Sequence, residues 1–296
     1  MVDFDYKEAF KCNLGILTEQ EQEKLREFRV AIPGMGSVGG EHLITFARAG
    51  FERFNIADFD NFELKNFNRQ SGANMKTLGR SKVEVMKEVV LCINPNCDIK
   101  LYDKGINNEC LENFLEGVDI SLDGLDAYEV EIRRNFINKS LEKDIPVISA
   151  GPIGFGSAYL IFKPGGPNFD EYFCINENDS YNKKLAAFFV GTVQSNLAKN
   201  YMKPGLRERK STSIRAGTNI CSSVALANAI KILFNKGDVK AIPYCNQFDP
   251  YVNKYVSKKI LFGNRYNPLQ ILKRKVLEDI FEGKESLIER YFLRDK

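Results

Sequence analysis

Residues 29–39 read R-V-A-I-P-G-M-G-S-V-G. Arg29–Pro33 is a short apolar run closed by glycines, which predicts a buried strand. A helix is predicted over residues 40–49, directly after the turn. Strand, G-x-G-x-x-G and helix in this order make a phosphate cradle. The glycines let the backbone approach the phosphates, and the helix N-terminus offers N–H groups and the positive end of its dipole. A second strand, Phe54–Ala57, ends at Asp58, about 20 residues further on, where a carboxylate suits a ribose hydroxyl pair. The turn alone fits NAD, FAD, S-adenosylmethionine or ATP.

The alternation continues. Helices are predicted at Ser81–Cys92, Asn108–Leu115 and Ala127–Leu141. Strands are predicted at Ile99–Tyr102, Val118–Leu122 and Pro146–Ala150. This pattern predicts a Rossmann-like, doubly wound, mostly parallel α/β sheet. Ser157–Phe162 follows its predecessor after a hairpin-length gap and is expected to be an added antiparallel strand. Thr18-Glu19-Gln20-Glu21 resembles a capping box opening a helix through Glu27. Residues 167–218 show little periodicity. Asn219–Asn235 reads as a buried helix, 237–262 as short strands, and Pro268–Phe292 as one or two amphipathic helices. The expected organisation is an N-terminal arm (1–28), a nucleotide-binding domain (29–236) and a C-terminal, largely helical extension (237–296).

Composition narrows the function. Over 296 residues the net charge is 42 − 39 = +3, too small to indicate a nucleic-acid or membrane-surface protein. The most apolar stretch, Ile220–Phe234, is broken by Ser222, Ser223, Asn228 and Lys231, so no membrane span is expected. The first residues are acidic where a signal peptide would be basic, and a cytoplasmic location is expected. Seven cysteines with no C-x-x-C argue against both a disulfide framework and structural zinc.

Three further groups fall at or just after predicted strand ends: D-F-D-N-F-E-L-K-N-F-N-R-Q (58–70), G-R-S-K (79–82) and D-G-L-D (123–126). That is the edge where doubly wound sheets bind ligands. Arg69 and Lys82 can neutralise β- and γ-phosphates, more cationic charge than a dinucleotide pyrophosphate needs. Asp126 can hold Mg²⁺, a hard cation taking one or two carboxylates plus phosphate oxygens. Singly, Arg69 and Lys82 also suit solvated surface charges. The ordered set favours a nucleoside triphosphate.

This order of motifs resembles the ThiF/MoeB family of adenylating enzymes, the fold shared with ubiquitin-activating enzymes, over roughly residues 10–236. The resemblance implies binding of ATP–Mg²⁺ and attack of a carboxylate on the α-phosphate, releasing pyrophosphate and leaving an acyl-adenylate. It implies that Gly34, Gly36 and Gly39 line the phosphates and that Asp58 holds the ribose. Asn66, Arg69 and Lys82 would contact the triphosphate, Gln70 would support them, and Asp126 would bind Mg²⁺. Arg69, Lys82 and Asp126 are thus the expected catalytic set. A homodimer is implied, as is a carboxylate substrate such as a peptide, a small acid or the end of a ubiquitin-like or sulfur-carrier protein.

The chain departs from the family pattern in three places. Cys12, beside Lys11, stands where many members carry a cross-subunit arginine. Ala127 follows Asp126 where asparagine is common. In Thr212-Ser213-Ile214-Arg215-Ala216-Gly217, Ser213 replaces the cysteine of thioester-forming members. His42, the only histidine, is expected to be packed or solvated, and Cys174 and the basic stretch 199–215 are not assigned chemistry. Two other classes stay open from sequence: an NAD(P)-dependent oxidoreductase, and an inactive ThiF-like scaffold.

Overall fold

Every residue of the strand Arg29–Pro33 is buried, as expected for a strand covered on both faces. Its side chains alternate between two cores. Val30 and Ile32 belong to one hydrophobic cluster, and Ala31 belongs to the other. The structure, a computed structural model, describes residues 3–284 apart from 203, 204, 207, 210, 211, 261 and 262.

The strands are β1 (Arg29–Pro33), β2 (Arg53–Ala57), β3 (Asp98–Tyr102), β4 (Ile120–Asp123), β5 (Val147–Ile153), β6 (Gly156–Phe162), β7 (Tyr244–Asp249) and β8 (Lys254–Lys259). They form one sheet in the order β3-β2-β1-β4-β5-β6-β7-β8. The first five are parallel and the last three antiparallel. Strand order reverses at β1, which lies between β2 and β4. The carboxyl ends of β1 and β4 therefore flank the topological switch point, where such sheets open a crevice.

The helices are α1 (Tyr6–Phe10), α2 (Glu19–Leu25), α3 (Ser37–Ala49), α4 (Lys82–Ile93), α5 (Leu111–Phe114), α6 (Val130–Glu142), α7 (Phe169–Phe173), α8 (Tyr181–Thr192), α9 (Arg215–Leu233), α10 (Gly263–Tyr266) and α11 (Pro268–Phe281). Side chains of α3, α4 and α9 fill one core, and those of α5 to α8 fill the other. Among the described residues no helix is long and apolar enough to cross a membrane.

The expected antiparallel strand is β6, and both bonds of the Thr18–Glu21 capping box are present. Two expectations need correction. The helix after the glycine turn starts at Ser37 rather than residue 40, so Gly39 lies inside its first turn. The weakly periodic region 167–218 contains a twelve-residue helix, α8. Leu185, Ala186, Ala187, Phe188, Val190, Gly191 and Thr192 are all buried, so α8 has too little polar face to show a helical period. The helix expected over Pro268–Phe292 runs to Phe281, and residues 285–292 lie outside the described residues.

Candidate functional site

The three glycines of the turn play different parts. Gly34 adopts φ +87°, which excludes most side chains, and a Cβ there would lie 2.4 Å from the Gly124 carbonyl oxygen. A Cβ on Gly39 would lie 1.7 Å from the Gly34 carbonyl oxygen. These two glycines, with Gly124 after β4, lock the turn against the neighbouring strand backbone by backbone. Gly36 caps α3, and a Cβ there would meet only the Gln70 amide nitrogen, at 3.9 Å. Gly36 therefore presents the open surface of the cradle.

Asp58 ties the turn to the end of β2. Its Oδ2 accepts from the Met35 N–H at 2.7 Å, and its Oδ1 accepts from the Asp60 N–H at 2.8 Å. Burial pushes its carboxyl above the usual range, opposed by the charge of Lys82. Lys82 opens α4, and its ammonium donates to Asp60 Oδ2 at 2.8 Å. Its side chain is 7% exposed and that of Asp60 52%. The cation is thus held beneath a carboxylate that faces solvent. Asp60 was not singled out from sequence, although D-F-D places a second acid two residues after Asp58.

Arg69 bends back on its own loop, donating to the Lys65 carbonyl at 3.0 Å and to Asn68 Oδ1 at 2.9 Å. Asn66 is buried and accepts from the Glu63 N–H at 2.8 Å, which fixes the loop locally. Gln70 lies beside Gly36, and its buried Oε1 has no partner among the described residues. A buried amide oxygen beside an open glycine turn leaves an acceptor that a ligand donor could complete. These residues fit a nucleotide.

Asp126 lies in the loop after β4, and its Oδ1 accepts from the Tyr128 N–H at 3.0 Å. The loop is clamped by Arg133, a residue the sequence reading missed. The Arg133 guanidinium donates to Asp123 Oδ2 at 2.7 Å and to the carbonyls of Leu125 and Asp126 at 2.8 and 2.9 Å. The Asp123–Arg133 pair is almost fully buried, and Ser149 also donates to that carboxylate. Its only sequence signal was an acid at a strand end and an arginine ten residues later, a separation no local period explains. Among the described residues no three His, Cys, Asp or Glu side chains converge as a preformed metal cluster. A hard cation at Asp126 would therefore complete its coordination with phosphate oxygens.

The second turn of α3 also meets the start of α9. Glu41 accepts from Ser71 and, at 3.3 Å, from Arg215, while Asn68 donates to the Ser213 carbonyl at 3.2 Å. Ser213 thus lies against the Asn66–Gln70 loop. Cys174 does not belong to this site. It caps α7 near Gly165 and Gly166, beyond the far end of β6. Cys221 is fully buried in α9, and burial pushes its thiol up to about 12. Burial likewise holds the Cys245 thiol at about 11. His42 is packed in α3 rather than solvated, with no partner for either ring nitrogen among the described residues.

The sequence model of the ThiF family matches residues 10–265. The chain is 33% identical over 142 residues to a tRNA threonylcarbamoyladenosine dehydratase from Bacillus subtilis, covering 48% of this chain and 55% of that protein. It is 28% identical over 175 residues to a molybdopterin-synthase adenylyltransferase from Haemophilus influenzae, covering 57% of this chain and 71% of that protein. The fold superposes on the crystal structure of PaaA with a TM-score of 0.64 at 17% identity, over 88% of this chain and 75% of that one. The matched stretch spans little more than half the length of the dehydratase.

Proposed function

The chain belongs to the ThiF family, and from that premise we propose that it is an ATP-dependent adenylyltransferase that activates a carboxylate. The observation that carries this reading is the gathering of an open glycine turn, a ribose-suited Asp58 and a sequestered Lys82 at the switch point of the sheet. An adenylyltransferase among the relatives supports it.

A substrate carboxylate oxygen bonds to the α-phosphorus, the bond to the bridging oxygen breaks, and pyrophosphate leaves with that electron pair. The product is an acyl-adenylate. Two anions must meet, so neutralising charge is the main task of the site. Gly36 and the first N–H groups of α3 would receive the phosphates, and Asp58 the ribose. Asn66 would shape the loop that delivers Arg69, and Gln70 would complete its bonding on the nucleotide. Arg69 and Lys82 would leave their present partners for the triphosphate. Mg²⁺ would be held by Asp126 and supply further neutralisation.

Acyl transfer would pass directly to an external acceptor. Ser213 offers a hydroxyl where a thiolate would be needed, the chain's one histidine, His42, is buried in α3, and the buried thiols of Cys221 and Cys245 are held far from ionisation. A homodimer is part of the proposal. Tyr6 of α1 donates to the Gly50 carbonyl at the carboxyl end of α3, about 20 Å along that helix from the glycine turn. The arm carrying Lys11 and Cys12 is thus pinned away from its own site, and in the proposed dimer it would reach the partner's. The substrate would be a carboxylate, whether a carrier-protein carboxyl terminus, a peptide or a small acid, and the setting cytoplasmic.

Calorimetric titration tests the nucleotide assignment. Mg–ATP is expected to bind at least tenfold more tightly than NAD, because Arg69 and Lys82 match the extra phosphate charge. Tighter binding of NAD would overturn the assignment in favour of an oxidoreductase.

A further inference from the structure

Three aromatic rings stand on the same sheet edge as the glycine turn, on the β4 side of the switch point. Phe155 lies in the turn between β5 and β6, Tyr251 lies two residues past β7, and Tyr201 follows the short turn Leu197–Asn200. Phe155 and Tyr251 stack with centroids 5.1 Å apart and planes 10° from parallel. Tyr201 lies 4.5 Å from Tyr251 and 5.8 Å from Phe155.

The rings are held by a buried carboxylate. Asp249, 0% exposed, accepts from the Tyr201 hydroxyl at 2.5 Å and from the Tyr251 N–H at 2.9 Å. The Tyr201 hydroxyl also accepts from the Phe155 N–H at 3.1 Å. Yet Tyr251 remains 60% exposed and the adjoining Val252 37%. Rigid rings with an open apolar face lose little conformational freedom when they bind.

The first turn of α9 and the residues before it join the cluster to the Asn66–Gln70 loop. A Cβ on Gly217, in the first turn of α9, would lie 2.7 Å from the Gly154 carbonyl, next to Phe155. Four residues before Gly217, Ser213 is bonded to Asn68 of the phosphate loop. With the ribose at Asp58, the nucleoside lies over β1 and β2. The acyl substrate must therefore come in from the β4 side, along the ends of β5, β6 and β7. Three strand spacings separate β4 from β7, about 14 Å. An extended chain crosses that distance in about four residues.

We propose that Phe155, Tyr201 and Tyr251 form a subsite for an apolar side chain three to four residues before the reacting carboxylate, so that the substrate is a peptide carboxyl terminus rather than a small acid. The inference rests on the adenylation reading for the position of the reacting group. A small acid cannot touch both places at once.

The test is affinity selection of a hexapeptide library with free carboxyl termini, without nucleotide, on the wild-type protein and on Tyr251→Ala and Tyr251→Phe. Wild type should enrich Phe, Tyr, Leu or Ile three or four residues from the terminus. Tyr251→Ala should weaken that enrichment about tenfold, and Tyr251→Phe should keep it. No positional preference in wild type, or an unchanged preference in Tyr251→Ala, overturns the subsite. Tyr251 is largely exposed, so its replacement should leave the fold intact, checked by the melting temperature. ATP–pyrophosphate exchange on the selected peptides separates the two claims. A Tyr251-dependent selection without exchange would contradict adenylation while supporting the subsite.

Discussion

Lys82→Ala is expected to lower ATP–pyrophosphate exchange by about 30- to 1000-fold, a loss of roughly 2–4 kcal/mol of transition-state stabilisation. Lys82 is a sequestered cation of the site, 6% exposed at the first position of α4, with its ammonium on Asp60. Its loss removes charge neutralisation where a carboxylate must approach phosphate. The fold should tolerate the change. The carboxylate left behind, Asp60, is half-exposed and regains water, while the more buried Asp58 loses the opposing charge of Lys82 but keeps its N–H bonds from Met35 and Asp60. Lys82→Met keeps most of the apolar stem and should show the same defect. Steady-state exchange together with a thermal melt reads both quantities. Exchange within twofold of wild type in Lys82→Ala would remove the lysine from the chemistry.

Acid should destabilise the protein through His42. Burial lowers its pKa to about 4, with the nearby Asp123 charge opposing weakly. The unfolded value is about 6.5. The folded state therefore binds fewer protons than the unfolded state between these values. The stability contributed by keeping His42 neutral is complete above about pH 6.5 and is lost as pH falls towards 4, on the order of 3 kcal/mol in all. Because His42 is the only histidine, a single imidazole resonance in wild-type protein measures this without substitution. It should not titrate between pH 5 and 8, and His42→Phe should flatten denaturant stability across pH 4–6.5. A midpoint near 6.5 in the folded protein would contradict the packing described for α3.

The sheet was legible because its central strands are short apolar runs ending at glycine or aspartate. Arg29–Pro33 and Asp58 define β1, β2 and the crevice between them. The hairpin-length gap before Ser157 gave the antiparallel turn of β6. Helix α8 was not legible, because a helix buried on most sides carries little amphipathic pattern. Its one charged residue deep in the fold, Lys184, is paired with Glu131 at 2.9 Å, a contact between helices far apart in sequence. The site was legible as a set of residue types but not as a division of labour. Spacing treats Gly34, Gly36 and Gly39 alike. Packing shows two of them serving the contact with Gly124 and one serving the open face. Arg133 could not be found by motif, since its work is to hold carbonyls of the loop that carries Asp126.

Carboxylate-dependent activation of ATP is the central step, and ATP–pyrophosphate exchange in the wild-type protein measures it directly. Labelled pyrophosphate should enter ATP only when Mg²⁺ and a peptide with a free carboxyl terminus are both present. The same peptides with amidated termini should support none. Mg–ATP binding without exchange for any free-carboxylate peptide, or equal exchange with amidated peptides, would contradict it.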